Sequence, residues 1–141
     1  MRKYPPGASG ANVRERVRLR VGGAARRDIA AILKWSLEKF GEAASLRYEV
    51  LILQALVDIE ADPERPGSKE RPELMVGGAR TYHLSFSRKR ISGPGVEEPR
   101  HLLVYRRRDG GMVEVARVLH DARDLQRHLP EDYRLRPLDT D

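Results

Sequence analysis

The stretch VRERVRLRV, residues Val13–Val21, runs through Gly22-Gly23 into AARRDIAAILKWSLEKF, residues Ala24–Phe40, and this succession decides the fold. In the first part, apolar and charged residues alternate with the period of two that is typical of a strand with one buried face. After the glycine pair, apolar residues recur with helical spacing, and Gly41 ends the helix because glycine readily adopts the left-handed conformation. The stretch predicts a strand that turns directly into an amphipathic helix.

A second helix is predicted to follow almost immediately, from Glu42 to Ala61, where Asp62-Pro63 ends it. Two helices separated by so short a break form an antiparallel helical hairpin. We expect the second helix to be the more buried of the two. The stripe expected to face the core in the first helix is Ile29, Ile32, Leu33, Leu37 and Phe40, flanked by Trp35. In the second helix it is Leu46, Val50, Leu53, Leu56 and Val57, widened by Tyr48, Ile52, Ala55 and Ile59.

Three further strands are predicted downstream. Thr81–Phe86 alternates in polarity, whereas His101–Tyr105 and Met112–Leu119 are apolar on both sides. The last two are joined through Arg108-Asp109-Gly110-Gly111, and Asp-Gly is a strong hairpin signal. We therefore expect an α+β fold of order β-α-α-β-β-β, with the helical hairpin packed on a mostly antiparallel four-stranded sheet.

The remaining segments are assigned by composition. Residues 1–12 form a flexible N-terminal arm, 13–129 a single domain, and 130–141 a C-terminal tail. Within the domain, 63–78 is predicted to be loop and 121–129 a short C-terminal helix. The connection Ser87–Arg100 is long for a hairpin, which indicates an inserted loop that is either functional or disordered.

Composition narrows the class of partner. The 141 residues carry a net charge of +6, which favours DNA, RNA or an acidic protein. The absence of cysteine excludes disulfides and thiolate sites and suits the cytoplasm. We expect no metal, because the four histidines lack ligand spacing, and no cofactor. We expect no membrane partner either, because no long apolar run and no secretory signal is present.

Arginine rows are the candidate binding residues. Arg16, Arg18 and Arg20 line the polar face of the first strand, and Arg106 belongs to a cluster of three in the last hairpin. Such rows suit phosphate or carboxylate partners. The alternative is that the first row is a solvated face protecting a sheet edge, and that the second is a solvated hairpin turn.

His120 is the candidate for acid–base chemistry. It ends the last apolar strand and is followed by Asp121, Arg123 and Asp124, and a histidine beside arginines can act on a phosphodiester. The plainer interpretation, which we favour, is a histidine hydrogen-bonded at a strand end while Asp124 pairs with Arg123 or caps the final helix.

Several motifs together resemble the RelE/ParE superfamily of toxins from bacterial type II toxin–antitoxin systems, and in particular its ParE-like branch. The run MVEVARVLHDARDLQRHL, Met112–Leu129, is similar to the end of a ParE toxin. The block ELMVGGARTYHLSF, Glu73–Phe86, resembles a second family region, with Arg80 at its arginine. The resemblance covers about residues 13–129, but the family usually has a short turn where this chain has Ser87–Arg100.

The resemblance implies a function and partners. ParE-like toxins inhibit DNA gyrase without acting as enzymes and are neutralised by a ParD-like antitoxin, which implies a binding role for Arg16, Arg18, Arg20, Arg80, Arg106 and Arg123. The alternative that the superfamily allows is a RelE-like endonuclease that cuts mRNA on the ribosome. For that alternative the candidate catalytic residues are Arg80, Arg117 and His120. A third reading, outside the family's activities, is a non-toxic basic nucleic-acid-binding module.

Overall fold

A computed structural model describes residues 18–74 and 78–122 of the chain. Strand β1 spans Arg18–Val21, and the two helices span Gly23–Phe40 (α1) and Glu42–Ala61 (α2). Four strands follow, interrupted by a 3₁₀ helix over Leu84–Arg90 between the second and third of them; they are β2 at Ser68–Glu70, β3 at Arg80–His83, β4 at His101–Arg107 and β5 at Met112–His120.

Several predicted segments lie outside the described residues. They are the N-terminal arm, the start of the first strand with Arg16, nearly all of the predicted C-terminal helix with Arg123 and Asp124, and the tail from 130 to 141. Among the described residues, no helix has the length and apolar character needed to cross a membrane.

The sheet has five strands in the order β1-β5-β4-β3-β2, so the prediction of four strands is wrong. Three of its pairings are antiparallel, as expected, but β1 lies parallel to β5. The additional strand is β2, in the segment predicted to be loop. Its three polar residues, Ser68-Lys69-Glu70, carry no apolar alternation, and pairing with β3 at the sheet edge holds them extended.

The predicted strand Thr81–Phe86 is correct only in its first half. Pairing with β4 stops at His83, and the chain enters the 3₁₀ helix at Leu84. The cause is a local cap, because the His83 side chain accepts a hydrogen bond from the Ser85 backbone N–H at 3.2 Å between nitrogens. Phe86 is therefore exposed and not part of a strand.

The helical hairpin is confirmed, and its bend is Gly41, whose φ of +95° suits glycine. The core lies between this hairpin and one face of the sheet, where Leu51, Ile52 and Ala55 of α2 pack with buried strand residues that include Leu103 and Val113. A second, smaller cluster on Leu74, Ala79, Val104, Ala116 and Leu119 is also buried.

The buried side of α2 differs from the predicted one. Its widening residues Ile52, Ala55 and Ile59 are buried, whereas four of the five expected core residues are exposed. The reason is that α2 is apolar around most of its circumference, so periodicity cannot choose the buried face. Together with residues at the end of α1, these side chains form what we call the exposed apolar set: Leu37, Phe40, Leu46, Val50, Leu53 and Val57.

Candidate functional site

The three residues that would serve a nuclease do not form one site, because Arg80 lies apart from the other two, whereas Arg117 and His120 both line a small pocket of about 160 Å³. Arg80 pairs with Tyr105 at one end of β4, and His120 pairs with His101 at the other end. Four residues along the strand and two strand spacings put their backbones roughly 16 Å apart. No single phosphodiester can contact both side chains in this arrangement while each keeps the partners described next.

Arg80 is held at the β2 edge of the sheet. Its Nε donates to Ser68 Oγ at 2.5 Å, and that hydroxyl also contacts Tyr105 OH at 2.7 Å. Tyr105 OH in turn donates to the Pro63 carbonyl oxygen at 2.6 Å, and burial raises the pKa of this phenol. Arg80 therefore ties β2 and β3 to the end of the helical hairpin.

Arg117 is held by Asp28 of α1. Its Nε and Nη2 donate to the two carboxylate oxygens at 2.6 and 2.8 Å, a bidentate pair. The Val118 backbone N–H also donates to Asp28, at 2.9 Å. The parallel pairing of β1 with β5 ends at Val115. The Asp28 carboxylate therefore supplies the hydrogen-bond acceptor for the Val118 N–H, which lies beyond that pairing.

His120 lies in a cluster at the far end of β4 and β5. Its ring stands edge-to-face with that of His101, with 5.4 Å between centroids, and its Nδ1 accepts from the Ala122 N–H at 3.1 Å. The hydrogen bond predicted for His120 at the end of a strand is present, whereas the partner predicted for Asp124 lies outside the described residues. The His120 side chain is 42% exposed.

Tyr48 of α2 links the hairpin to this cluster. Its hydroxyl accepts from the Arg100 N–H at 3.0 Å and lies 2.7 Å from His101 Nδ1. The phenolic hydrogen is thus free to be donated to His101, which must be neutral to accept it. Burial, reinforced by the charge of His120, lowers the pKa of His101 to about 4, and burial raises the pKa of Tyr48.

Asp121 holds the other side of the cluster. It accepts a hydrogen bond from His83 Nε2 at 3.0 Å and forms an ion pair with Arg100, whose Nη2 lies 3.2 Å from Asp121 Oδ1. Burial alone would raise the pKa of Asp121, but the His83 hydrogen bond and the Arg100 charge outweigh it and lower that pKa. His83 and Asp121 thus connect β3 to the end of β5.

The predicted binding arginines divide into two kinds. Arg18 is exposed, whereas Arg20 and Arg106 converge on the buried Glu114 with N–O distances of 3.8 and 3.3 Å. Arg108 joins them at 2.9 Å. Glu114 therefore joins Arg20 and Arg106 of the sheet and Arg108, which follows β4, in one charged cluster, and Arg106 is mostly buried within it.

Two features of the structure carried no clear signal in the sequence. Asp58 of α2 is buried and holds the 3₁₀ helix: it accepts a hydrogen bond from Ser87 Oγ at 2.6 Å and forms an ion pair with Arg90, whose Nε lies 2.8 Å from Asp58 Oδ1. An aspartate within an otherwise apolar helical stretch was the signal available for it. The other feature is a cavity of about 880 Å³ between the hairpin and the Ser87–Arg100 connection, which we call the hairpin cavity.

The Ser87–Arg100 connection, called the connector from here on, is described throughout and begins within the 3₁₀ helix. Its residues Ile91 and Val96 pack against the core. The hairpin cavity lies beneath it, with Ile32, Trp35 and Phe40 from α1, and His101 and His120 from the strands, among its walls. Within residues 18–74 and 78–122, no group of three histidine or carboxylate side chains is arranged to hold a metal ion.

Comparison with known proteins identifies the family. No curated protein matches the chain. The family model described as the ParE toxin of the type II toxin-antitoxin system, parDE, matches residues 19–125, about three quarters of the 141 residues. The resemblance drawn from the sequence is thereby confirmed: the chain belongs to the family of ParE toxins of type II toxin–antitoxin systems, which implies an antitoxin as its partner.

Proposed function

We propose that residues 13–129 form a toxin that inhibits DNA gyrase in the bacterial cytoplasm by binding it, and that a ParD-like antitoxin neutralises this toxin. The observation that carries the proposal is the placement of Arg80, Arg117 and His120: Arg80 lies far from His120, and Arg117, although it lines a small pocket with His120, is paired with Asp28. Arg80 and Arg117 are held by neighbouring side chains, and Arg80 lies at the opposite end of β4 from His120. Within the described residues these three side chains do not form the acid–base arrangement that a nuclease would need, which supports inhibition by binding.

The exposed apolar set supports an antitoxin partner. Six large apolar side chains on one helical hairpin are more than an isolated soluble chain needs to expose, and such surfaces mark interaction sites. The basic charge of the chain favours an acidic partner, and Arg18 and Arg20 at the outer strand of the sheet add to it locally. An acidic antitoxin tail that folds on binding would satisfy both surfaces.

One observation favours the alternative of a ribosome-dependent mRNA endonuclease. His120 stands beside His101 and within the cluster of Arg100 and Asp121. Arg117 lines a small pocket with both histidines, whereas Arg80 lies too far away to take part in such a site. His101, however, is held neutral between burial and the Tyr48 hydroxyl, so it is poorly placed to supply a proton at neutral pH.

An expression experiment separates the two functions. The chain is induced in bacteria with and without the antitoxin, and plasmid supercoiling and reporter mRNA are followed in the same cells. We expect growth arrest with relaxed or linearised plasmid and intact mRNA, relieved by the antitoxin. Cleaved mRNA with normal supercoiling would establish the endonuclease, and normal growth would favour a non-toxic nucleic-acid-binding module.

A further inference from the structure

The hairpin cavity combines an apolar interior with aromatic side chains at its surface. Trp35 and Phe40 meet edge-to-face with 5.5 Å between ring centroids, yet they are 51% and 65% exposed. The opposite wall is formed by Ile91 and Val96 of the connector. The cavity volume of about 880 Å³ exceeds what one large side chain needs, so a partner can insert a side chain together with some of its backbone.

The connector wall is fixed at both ends, so the cavity exists before any partner arrives. At its start, Ser87 and Arg90 are bound to the buried Asp58. At its end, the Arg100 N–H is bound to the Tyr48 hydroxyl of α2. A preformed cavity lowers the entropy lost on binding, which favours insertion of an anchor side chain.

The rim of the cavity is basic. Arg47, Arg88 and Lys89 line it, and in the described part of the chain none of the three has a carboxylate within ion-pair distance. Arg100 adds a fourth cation, paired with Asp121, against the two acidic side chains Glu97 and Glu98 on the connector. An occupant that carries carboxylates beside an apolar group would therefore match this rim.

We propose that the hairpin cavity receives a large aliphatic or aromatic side chain from an acidic segment of the antitoxin. Carboxylates next to that side chain in the antitoxin would form ion pairs with Arg47, Arg88 and Lys89. The inference rests on the proposed function, because it assumes that an antitoxin binds. A polypeptide fits better than a small molecule because Phe40 belongs both to the cavity and to the exposed apolar set. One continuous segment can cover both surfaces, whereas a small ligand would leave the apolar set exposed.

The test uses the full chain and the purified antitoxin that we propose as its partner, with binding kinetics measured on two variants that each have a matched control. Phe40→Ala removes the aromatic wall, and Phe86→Ala removes a similarly exposed phenylalanine outside the cavity. Lys89→Glu reverses a rim charge, and Lys69→Glu reverses one on strand β2. We expect Phe40→Ala to weaken binding about thirtyfold and Lys89→Glu about tenfold, mainly through faster dissociation, with both controls within about threefold.

A second measurement identifies the occupant. Trp35 is the only tryptophan in the chain, so its fluorescence reports on the cavity. Overlapping antitoxin peptides without tryptophan should shift this emission only when they carry the acidic segment. A lysine in place of a carboxylate of that segment should restore binding to the Lys89→Glu protein.

Wild-type affinity in folded Phe40→Ala and Lys89→Glu proteins would overturn the cavity proposal while leaving the toxin function standing. A small molecule found in the cavity by native mass spectrometry, or self-association lost in these variants, would also overturn it. Failure of the wild-type chain to bind antitoxin would overturn both proposals.

Discussion

Removal of the Asp28 carboxylate should destabilise the fold more than its position near the surface suggests. Asp28 accepts two hydrogen bonds from Arg117 and one from the Val118 N–H, and the side chains of the ion pair are only 14% and 21% exposed. Breaking a buried pair from one side costs about 3–5 kcal/mol. Because water reaches part of Arg117, we expect Asp28→Ala to lower the free energy of unfolding by about 2–4 kcal/mol.

Urea denaturation followed by circular dichroism measures this loss. Glu38→Ala is the matched control, since Glu38 is exposed on the same helix, and it should change stability by less than about 0.5 kcal/mol. The double variant Asp28→Ala with Arg117→Ala should lose much less than the sum of the single variants, because the unpaired charge is gone. A loss below about 1 kcal/mol for Asp28→Ala would refute the reasoning that this pair anchors α1 to β5.

Three further outcomes are expected. His120→Gln should change stability by less than about 1 kcal/mol, because the side chain is 42% exposed, and should still arrest growth; a folded variant that no longer arrests growth would support the nuclease. The chain should lose stability as pH falls from about 6.5 to about 4, since the unfolded chain protonates His101 over this range while the folded chain keeps it neutral. Its share is on the order of 2 kcal/mol after allowance for solvent access, and an identical pH profile in His101→Gln would disprove that assignment. Reversing Arg16, Arg18 and Arg20 together should slow antitoxin association and reduce its salt dependence, and unchanged stopped-flow kinetics would move the interface elsewhere.

The order of the main elements could be predicted because it rests on periodicity. The change from period two to helical spacing at Gly22-Gly23 placed β1 and α1, and Asp109-Gly110 placed the final hairpin. Strand β2 could not be predicted, because three polar residues acquire a strand conformation only from their neighbours. The parallel pairing of β1 with β5 joins residues about a hundred positions apart, and no local pattern records such a contact.

The candidate site was less accessible from the sequence than the fold. His120 was found from its place at the end of a strand, but its neighbour His101 was assigned only to a strand. The arginines could be read from the sequence, but their carboxylate partners could not. Asp28, which holds Arg117, is distant from it in sequence, and Glu114, which holds Arg106, looks like an ordinary charge on a strand. The buried face of α2 was misassigned because an almost uniformly apolar helix has no distinguishable side.

The most direct test of the central claim is gyrase supercoiling with purified components, run beside cell-free translation of a reporter. We predict that the full chain stops supercoiling, that translation continues, and that one equivalent of the antitoxin restores supercoiling. Undiminished supercoiling together with cleavage of the reporter mRNA would contradict the account.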